Sequence, residues 1–463
     1  MFAYSTLGPH LRRPLFAGLF SAIAVMHASV ALADPITLSA PIDVGATLPA
    51  ISEPPEGQGD YLDERRDDYA VAVHGSSMLV TWVEGARDLH AAIVDAEKGV
   101  VVPRFLVYSG ETRLSAVRAV FADGAYRIAV GDQAGLYVGT RLFVVDEAGT
   151  VGDPETYGLA EQGLVECGPL ALEARSTGLV LSCTTGPVVA IPQEGESSTL
   201  FWPTGSPRVN IACRDAPCVA GFQLNNANPL LNVALVALDD ANMDPKPTFL
   251  GFRDATDARI ALALTGAGTL AVSRSYFLPP GDGNGQNREH IHGWFLAADG
   301  TIRALDNLAE APGIRDARLA TNGTSIALVY RANGGGSTIV ALDADGEPRE
   351  ETAVISTQPS LDVRLAASSD GSYALAYDDG ARLFVRTARL DPPDATPTTT
   401  PTSTETSCAC AAAGDGASSS AGGVLAVAFG ASLVVRRRRR RGVGPIPAPL
   451  QGSASLQHRA PVE

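Results

Sequence analysis

The feature that most restricts this chain is a short pattern that returns seven times at a spacing near fifty residues. Each copy is a strand-like run, a polar turn and an apolar run: VAVHGSSMLVTWV, AVFADGAYRIAVG, LEARSTGLVLSC, IACRDAPCVAGF, LALTGAGTLAVS, LATNGTSIALVY and LAASSDGSYALAY. The turns centre on Gly75, Gly124, Gly178, Ala216, Gly268, Gly323 and Gly371, at intervals of 49, 54, 38, 52, 55 and 48 residues. Apolar and polar residues alternating about such turns mark β-hairpins, because successive strand side chains face opposite ways. The better copies are followed by a second hairpin with an Asp-x-x-Gly-like turn, as in AAIVDAEKGVVV, LFVVDEAGTV, WFLAADGTIRAL and IVALDADGEP. Four strands in each unit of about fifty residues is the recipe for a β-propeller blade. No segment sustains a 3.6-residue apolar period, so helical repeats are excluded. A string of β-sandwich domains would not explain the length of the unit.

The seventh copy lacks a fourth strand. Its third, ARLFVRTARL, runs directly into Pro392-Pro393. The stretch Pro35–Val44 (PITLSAPIDV) offers the missing strand from the other end of the domain. A strand supplied in this way closes the ring and covers an otherwise open edge. The sequence therefore predicts an all-β fold, a single propeller of seven four-stranded blades over residues 34–393. No Trp-Asp dipeptide occurs, so the chain does not read as a typical WD40 protein.

The ends differ in composition from this middle. Residues 1–33 combine Arg12 and Arg13, an apolar stretch from Leu15 to Val25, and Ala31-Leu32-Ala33 before Asp34-Pro35. That order predicts a cleavable signal peptide and an exported chain whose cysteines can pair. Residues 394–420 are rich in Thr, Pro, Ser and small residues, with nothing to bury, and read as an extended stalk containing Cys408 and Cys410. Residues 421–441 hold a short apolar run and then six consecutive arginines, Arg436, Arg437, Arg438, Arg439, Arg440 and Arg441. Such a cluster holds the end of a transmembrane sorting helix on the cytoplasmic side. Residues 442–463 read as a disordered tail.

Cysteine, small residues, a short apolar helix and an arginine cluster, in that order, resemble the MYXO-CTERM sorting signal of myxobacterial surface proteins. The resemblance covers about 35 residues of the tail and implies nothing about the domain in front. It implies processing at Cys408 or Cys410 by a transpeptidase-like sorting protease. Membrane attachment would then be through the helix or a lipid, with display at the cell surface or outer membrane of a Gram-negative bacterium.

Few residues in the middle suggest chemistry. Cys167 and Cys183 flank the third hairpin, and Cys213 and Cys218 flank the fourth. Two local disulfides, 167–183 and 213–218, are the expected pairing in an exported chain. His290 and His292, two apart after the insertion PPGDGNGQNRE, would point the same way on a strand. They read either as a pair of metal ligands or, more simply, as exposed histidines at a strand start. The loop Asp282–Asn287 faintly resembles a calcium loop but lacks its closing Glu, leaving calcium or another divalent ion as an open cofactor. Asp60, Asp63, Glu64, Asp67 and Asp68 form an acidic cluster before the first blade, with Arg65 and Arg66 among them. Esterase, zinc-protease and phosphate-loop motifs are absent, as is the sialidase-type Asp-box.

Residues 34–410 carry 26 basic against 49 acidic side chains, the wrong sign for a nucleic-acid partner. The expected function is that of an exported, surface-anchored propeller acting as a non-enzymatic binding or adhesion module for a glycan or protein. The alternative is a glycosidase-like surface hydrolase whose carboxylates converge on the central channel.

Overall fold

The computed structural model describes residues 36–48 and 68–390, apart from 135–136, 158–166, 185–186, 203–207, 215–217, 224–232, 239–245, 251–254, 278–287, 313, 315, 333–335 and 358–361. The expectations for the signal peptide, the stalk with Cys408 and Cys410, the arginine cluster, Asp60–Asp67 and the loop Asp282–Asn287 lie outside these residues.

Seven antiparallel sheets follow one another along the chain. The first blade contains β3 (Tyr69–His74), β4 (Ser77–Glu84), β5 (Asp88–Asp95) and β6 (Gly99–Ser109), paired in that order. The pattern repeats through the blades that open with β7 (Arg113–Ala122), β11 (Pro169–Arg175), β15 (Val209–Cys213), β19 (Ala255–Leu264) and β23 (Asp316–Thr321). The seventh has three strands of its own: β27 (Val363–Ala367), β28 (Ser372–Asp378) and β29 (Arg382–Leu390). Its outer edge is filled by β1 (Ile36–Leu38) and β2 (Ile42–Thr47), both antiparallel to β29. The register sets Ile36 opposite Leu390 and Ile42 opposite Val385. The expected closing strand is present, in two pieces separated at Ser39–Pro41.

The first strands of successive blades touch in order, and β27 returns to β3, so they enclose a central channel. Between each pair of neighbouring blades lies an apolar layer. Leu79, Ile93, Tyr126 and Phe143 belong to the layer between blades one and two; Met78, Trp82, Ala374 and Leu383 to that between seven and one. Each inner sheet is therefore covered on both faces. This explains one departure from the alternation read in the sequence. The second strands of the blades are continuously buried, as in β12 (Gly178–Cys183) and β28, because both sets of side chains meet a neighbouring blade.

The turns repeat as closely as the strands. Asp146, Ala297 and Asp343 each accept from the N–H of a glycine three residues on, Gly149, Gly300 and Gly346. Those glycines have φ of 83°, 85° and 83°, a region where a side chain would be strained. At the first-strand turn of blade three, Gly178 has φ +135° and a Cβ there would lie 2.2 Å from the Ile191 carbonyl oxygen. Aspartates also fasten the turns. Hydrogen bonds from the Glu97 N–H, the Ser76 hydroxyl and the Lys98 N–H hold the Asp95 pKa down at about 2.

Neighbouring blades are also joined by a recurring polar pair. The Tyr126 hydroxyl lies 2.9 Å from Ser77 Oγ across blades one and two, and the Tyr373 hydroxyl 2.9 Å from Ser325 Oγ across blades six and seven. In each pair the serine opens the second strand of one blade and the tyrosine stands second in that of the next.

Candidate functional site

The inner strands all begin at the same end of the channel. Contacts between them establish this: the Tyr69 hydroxyl donates to the Asp362 carbonyl, Arg118 to the Leu170 carbonyl, and Asn210 to the Ile260 carbonyl. The first residues of the inner strands, such as Arg113 and Pro169, mark this end. The opposite end carries the short first-strand turns.

A cavity of about 640 Å³ occupies the channel. Its wall carries five arginines: Arg113, Arg118, Arg208, Arg318 and Arg364. Arg113 is the first residue of β7, Arg208 stands just before β15, Arg318 is third in β23 and Arg364 second in β27. Arg113 and Arg208 lie at the strand-start end, whereas Arg318 and Arg364 lie three ladder pairs from their first-strand turns. Arg118 is placed by a bulge between Ser115 and Arg118, where Ala116 takes φ 56°. Its guanidinium is spent on stitching blades two and three, through the Leu170 and Val117 carbonyls.

Two of these arginines are held by the seam between blades seven and one. Asp362, 2% exposed, has Arg364 Nη2 at 2.6 Å from one oxygen and Arg318 Nη2 at 3.8 Å from the other. Tyr69 reaches across the seam to the Asp362 carbonyl at 2.6 Å and Asp378 Oδ2 at 3.0 Å. Arg364 also lies 5.7 Å from the centre of the Tyr69 ring. Burial, followed by the charges of Asp378 and Asp362, pushes the Tyr69 pKa well above the ordinary phenol value. This network fixes the direction of the guanidinium groups, and Asp362 offsets one of their charges.

The same wall also carries apolar residues, Val71, Ile211, Leu262, Leu319 and Leu365. Among them Glu173, fifth in β11, is the one carboxylate on the described lining. Its side chain is half-buried and lines the cavity. Desolvation pushes its pKa up from 4.5 to about 8, against the opposing effect of a hydrogen bond from the Cys213 backbone. At neutral pH the carboxyl is uncharged and can donate a hydrogen bond. The alternative expectation of several carboxylates converging on the channel is thus met by one acid among five arginines.

The expected disulfides both form, Cys167–Cys183 and Cys213–Cys218. Both border the channel: Gly168 and Thr184, next to the first pair, line the cavity, and Cys213 donates to Glu173. His290 and His292 share one face of β21 (Arg288–Ala297), with ring centres 5.8 Å apart. Each faces its own carboxylate on β22 (Ile302–Pro312). His290 Nδ1 is 4.0 Å from Glu310 and His292 Nδ1 is 3.8 Å from Asp306. They lie on the outer half of blade five, away from the channel. No group of three or more His, Cys, Asp or Glu among the described residues is placed to hold a metal ion. The sequence reading missed Glu310 and Asp306 because a neighbouring strand supplies them.

No protein-family model matches this chain. No curated protein matches it. Among solved structures it is similar to that of the polysaccharide lyase Uly1, with 12% sequence identity and a TM-score of 0.50, over 76% of this chain and 100% of the other. The similarity is one of fold.

Proposed function

We propose that this protein is an exported binding module, held at the cell surface, whose channel takes up an anionic polymer, an acidic polysaccharide in the first instance. The observation that carries the reading is the contrast of charge. A chain with formal net charge −16 lines its one described channel with five arginines and a single carboxylic acid that is uncharged at neutral pH. An acidic exterior repels anions in general, while the arginine-lined channel attracts those that enter it. Guanidinium groups pair in planar, two-point fashion with carboxylates and sulfates, which suits a sugar acid. The test is binding of carboxylated, sulfated and neutral oligosaccharides by the purified protein at two salt concentrations. Affinity for the acidic ones, weakened by salt and by Arg318→Gln, supports the reading; equal affinity for neutral ones overturns it.

Surface attachment rests on the tail. In this reading Cys408 or Cys410 is processed by a sorting protease, and the apolar run with Arg436–Arg441 retains the precursor in the inner membrane until then. Replacing both cysteines with serine leaves export intact and abolishes display. A double variant displayed like the wild type would make the tail an ordinary membrane anchor.

A second reading, cleavage of the same polymer, is favoured by the fold shared with a polysaccharide lyase and by an acid on the channel wall whose pKa is raised toward neutrality. Shortening of an acidic polysaccharide by the wild type, and not by Glu173→Gln, would select it.

A further inference from the structure

Among the described residues two Trp or Phe side chains are exposed, Trp202 at 52% and Phe249 at 43%. The strand registers put both at the strand-start end of the ring, beside the crevice between blades three and four. In blade four one row of paired residues crosses the whole sheet. Val209 of β15 stands opposite Phe222 of β16 (Cys218–Gln223), Phe222 opposite Ala234 of β17 (Val233–Leu238), and Ala234 opposite Phe249 of β18 (Thr248–Phe249). Directly opposed residues share one face of a sheet. Val209, Phe222 and Ala234 pack in one apolar layer with Val188 and Leu200 of blade three, so Phe249 stands on that face at its outer rim. From the other side comes Phe201, last in β14 (Ser198–Phe201) and paired with Val188. Its ring centre is 5.3 Å from that of Phe222, and Trp202 is the next residue.

The inner end of the same row is marked by Arg208, one residue before Val209 and on the channel wall. We propose that Trp202 and Phe249 form a second subsite, on which the sugar rings of an acidic polysaccharide stack as the chain runs outward from the arginine-lined channel. The inference rests on the anionic-polymer reading above and adds the path by which the polymer leaves the channel.

Size, chemistry and charge support it. The four strands of the row are three spacings apart, which puts Phe249 about 14 Å from the start of β15. That is more than one sugar ring spans and within reach of a short oligomer. The channel, at about 640 Å³, holds only a short run of rings, so a longer polymer must continue over an end of the ring. An aromatic ring has an electron-rich face that suits the C–H face of a pyranose, and stacking leaves the sugar's hydroxyls and carboxylates free for water or arginine. The hairpin that carries the inner half of the row is tied at its far end by Cys213–Cys218, which steadies the spacing between arginine and aromatic groups. A second copy of this chain would also cover apolar rings, but two molecules of formal net charge −16 repel one another. An acidic glycan is drawn to the guanidinium at the inner end instead.

The chain supplies its own probe. Of its three tryptophans, Trp82 and Trp294 are 0% and 7% exposed, so fluorescence quenching by acrylamide reports Trp202. The purified protein is titrated with digalacturonate, hexagalacturonate and neutral xylohexaose. Hexagalacturonate is expected to bind about tenfold more tightly than the dimer and to shield Trp202, whereas the dimer binds without shielding it. Trp202→Ala and Phe249→Ala should each remove most of that gain and leave the affinity for the dimer unchanged. Arg318→Gln should weaken the binding of both. Shielding is measured on the wild type, so it stands whether or not a variant folds. Equal affinity for dimer and hexamer, or a bound hexamer that leaves Trp202 open to acrylamide, overturns the rim subsite and leaves the channel reading intact. Xylohexaose that shields Trp202 as well as the acidic hexamer does separates the rim from the channel and overturns the proposed path. Shielding that rises with protein concentration alone assigns the rim to a second copy and overturns it too. Absence of binding by either acidic ligand overturns the channel reading as well.

Discussion

The ring is held shut in two different ways, and the contrast between the seam of blades seven and one and the wall of blades three and four is instructive. At the seam, sheet pairing and buried polar contacts do the work. β1 and β2 complete blade seven, Tyr69 crosses to Asp362 and Asp378, and Ser368 Oγ donates to the Gly75 carbonyl at 3.2 Å. Blades two, three and four all have short outer strands, Glu155–Tyr157, Ser198–Phe201 and Thr248–Phe249. Blades three and four also carry a disulfide each, beside the channel wall that bears Glu173. Extended pairing closes the scaffold, whereas covalent links stiffen the part of the wall where small displacements would alter the site.

The comparison is best broken by removing the seam's sheet. Deleting residues 34–47 strips β29 of β1 and β2, leaving it paired with β28 alone, and opens the Ile36 and Val44 contacts with the neighbouring layers. Loss of the cooperative melting transition, with aggregation through the exposed edge, is expected. An unchanged melting curve would show that three strands suffice for blade seven.

Next in size is the larger disulfide. Cys167→Ser with Cys183→Ser opens a link of sequence separation 16, which should cost about 3 kcal/mol in chemical denaturation. Opening Cys213–Cys218, of separation 5, should cost about 2 kcal/mol or less, because it closes a shorter loop. An equal effect from the two would show that chain entropy is not what the links supply.

Tyr69→Phe sharpens the other side of the comparison. It deletes hydrogen bonds to the Asp362 carbonyl and to the buried Asp378 carboxylate, an expected loss of about 2 kcal/mol. Tyr126→Phe, whose partner is the neutral Ser77 hydroxyl, should cost about 1 kcal/mol. Both follow from thermal or urea unfolding.

The wall makes a prediction of opposite sign. Glu173 keeps its proton up to about pH 8 in the folded protein, whereas its ordinary value is 4.5. The folded state thus binds the extra proton between these values, and stability falls as pH rises through that window before levelling above it. Glu173→Gln should match the wild type at pH 4 and exceed it at pH 9. Allowing for water in the channel, the gain should be about 2 kcal/mol or less. A variant less stable than the wild type at pH 9 would contradict the burial of a charge there.

What could be read from the sequence was local. A hairpin places its partners within a dozen residues, so Gly75, Gly124 and their counterparts reveal the blades, and cysteines flanking a hairpin reveal their pairing. The closure by Pro35–Val44 was legible because ARLFVRTARL ends at two prolines with no strand to follow. The channel was not legible. Arg113, Arg208, Arg318 and Arg364 are scattered along the chain, one in each of four blades, and in isolation each is an ordinary charged residue at a strand start. Glu173 sits in LEARSTG, where it looks like the polar half of an alternating hairpin. A signal was present in the positions rather than the residues: once the inner strands are aligned, four of the seven carry an arginine between one residue before and three residues into the strand. His290 and His292 illustrate the same limit, since Glu310 and Asp306 reach them only through strand pairing.

The pairing of Ile36 with Leu390 also sets a timetable. The ribosome makes β1 first and reaches its partner about 350 residues later, which at about 5–20 residues per second takes roughly 20 to 70 seconds. Through that interval the leading strand has nowhere native to dock, because Leu390 has not yet been made. The molecule thus acquires its closed form in one late event, and anything that occupies residues 36–47 in the meantime governs when the channel comes into being.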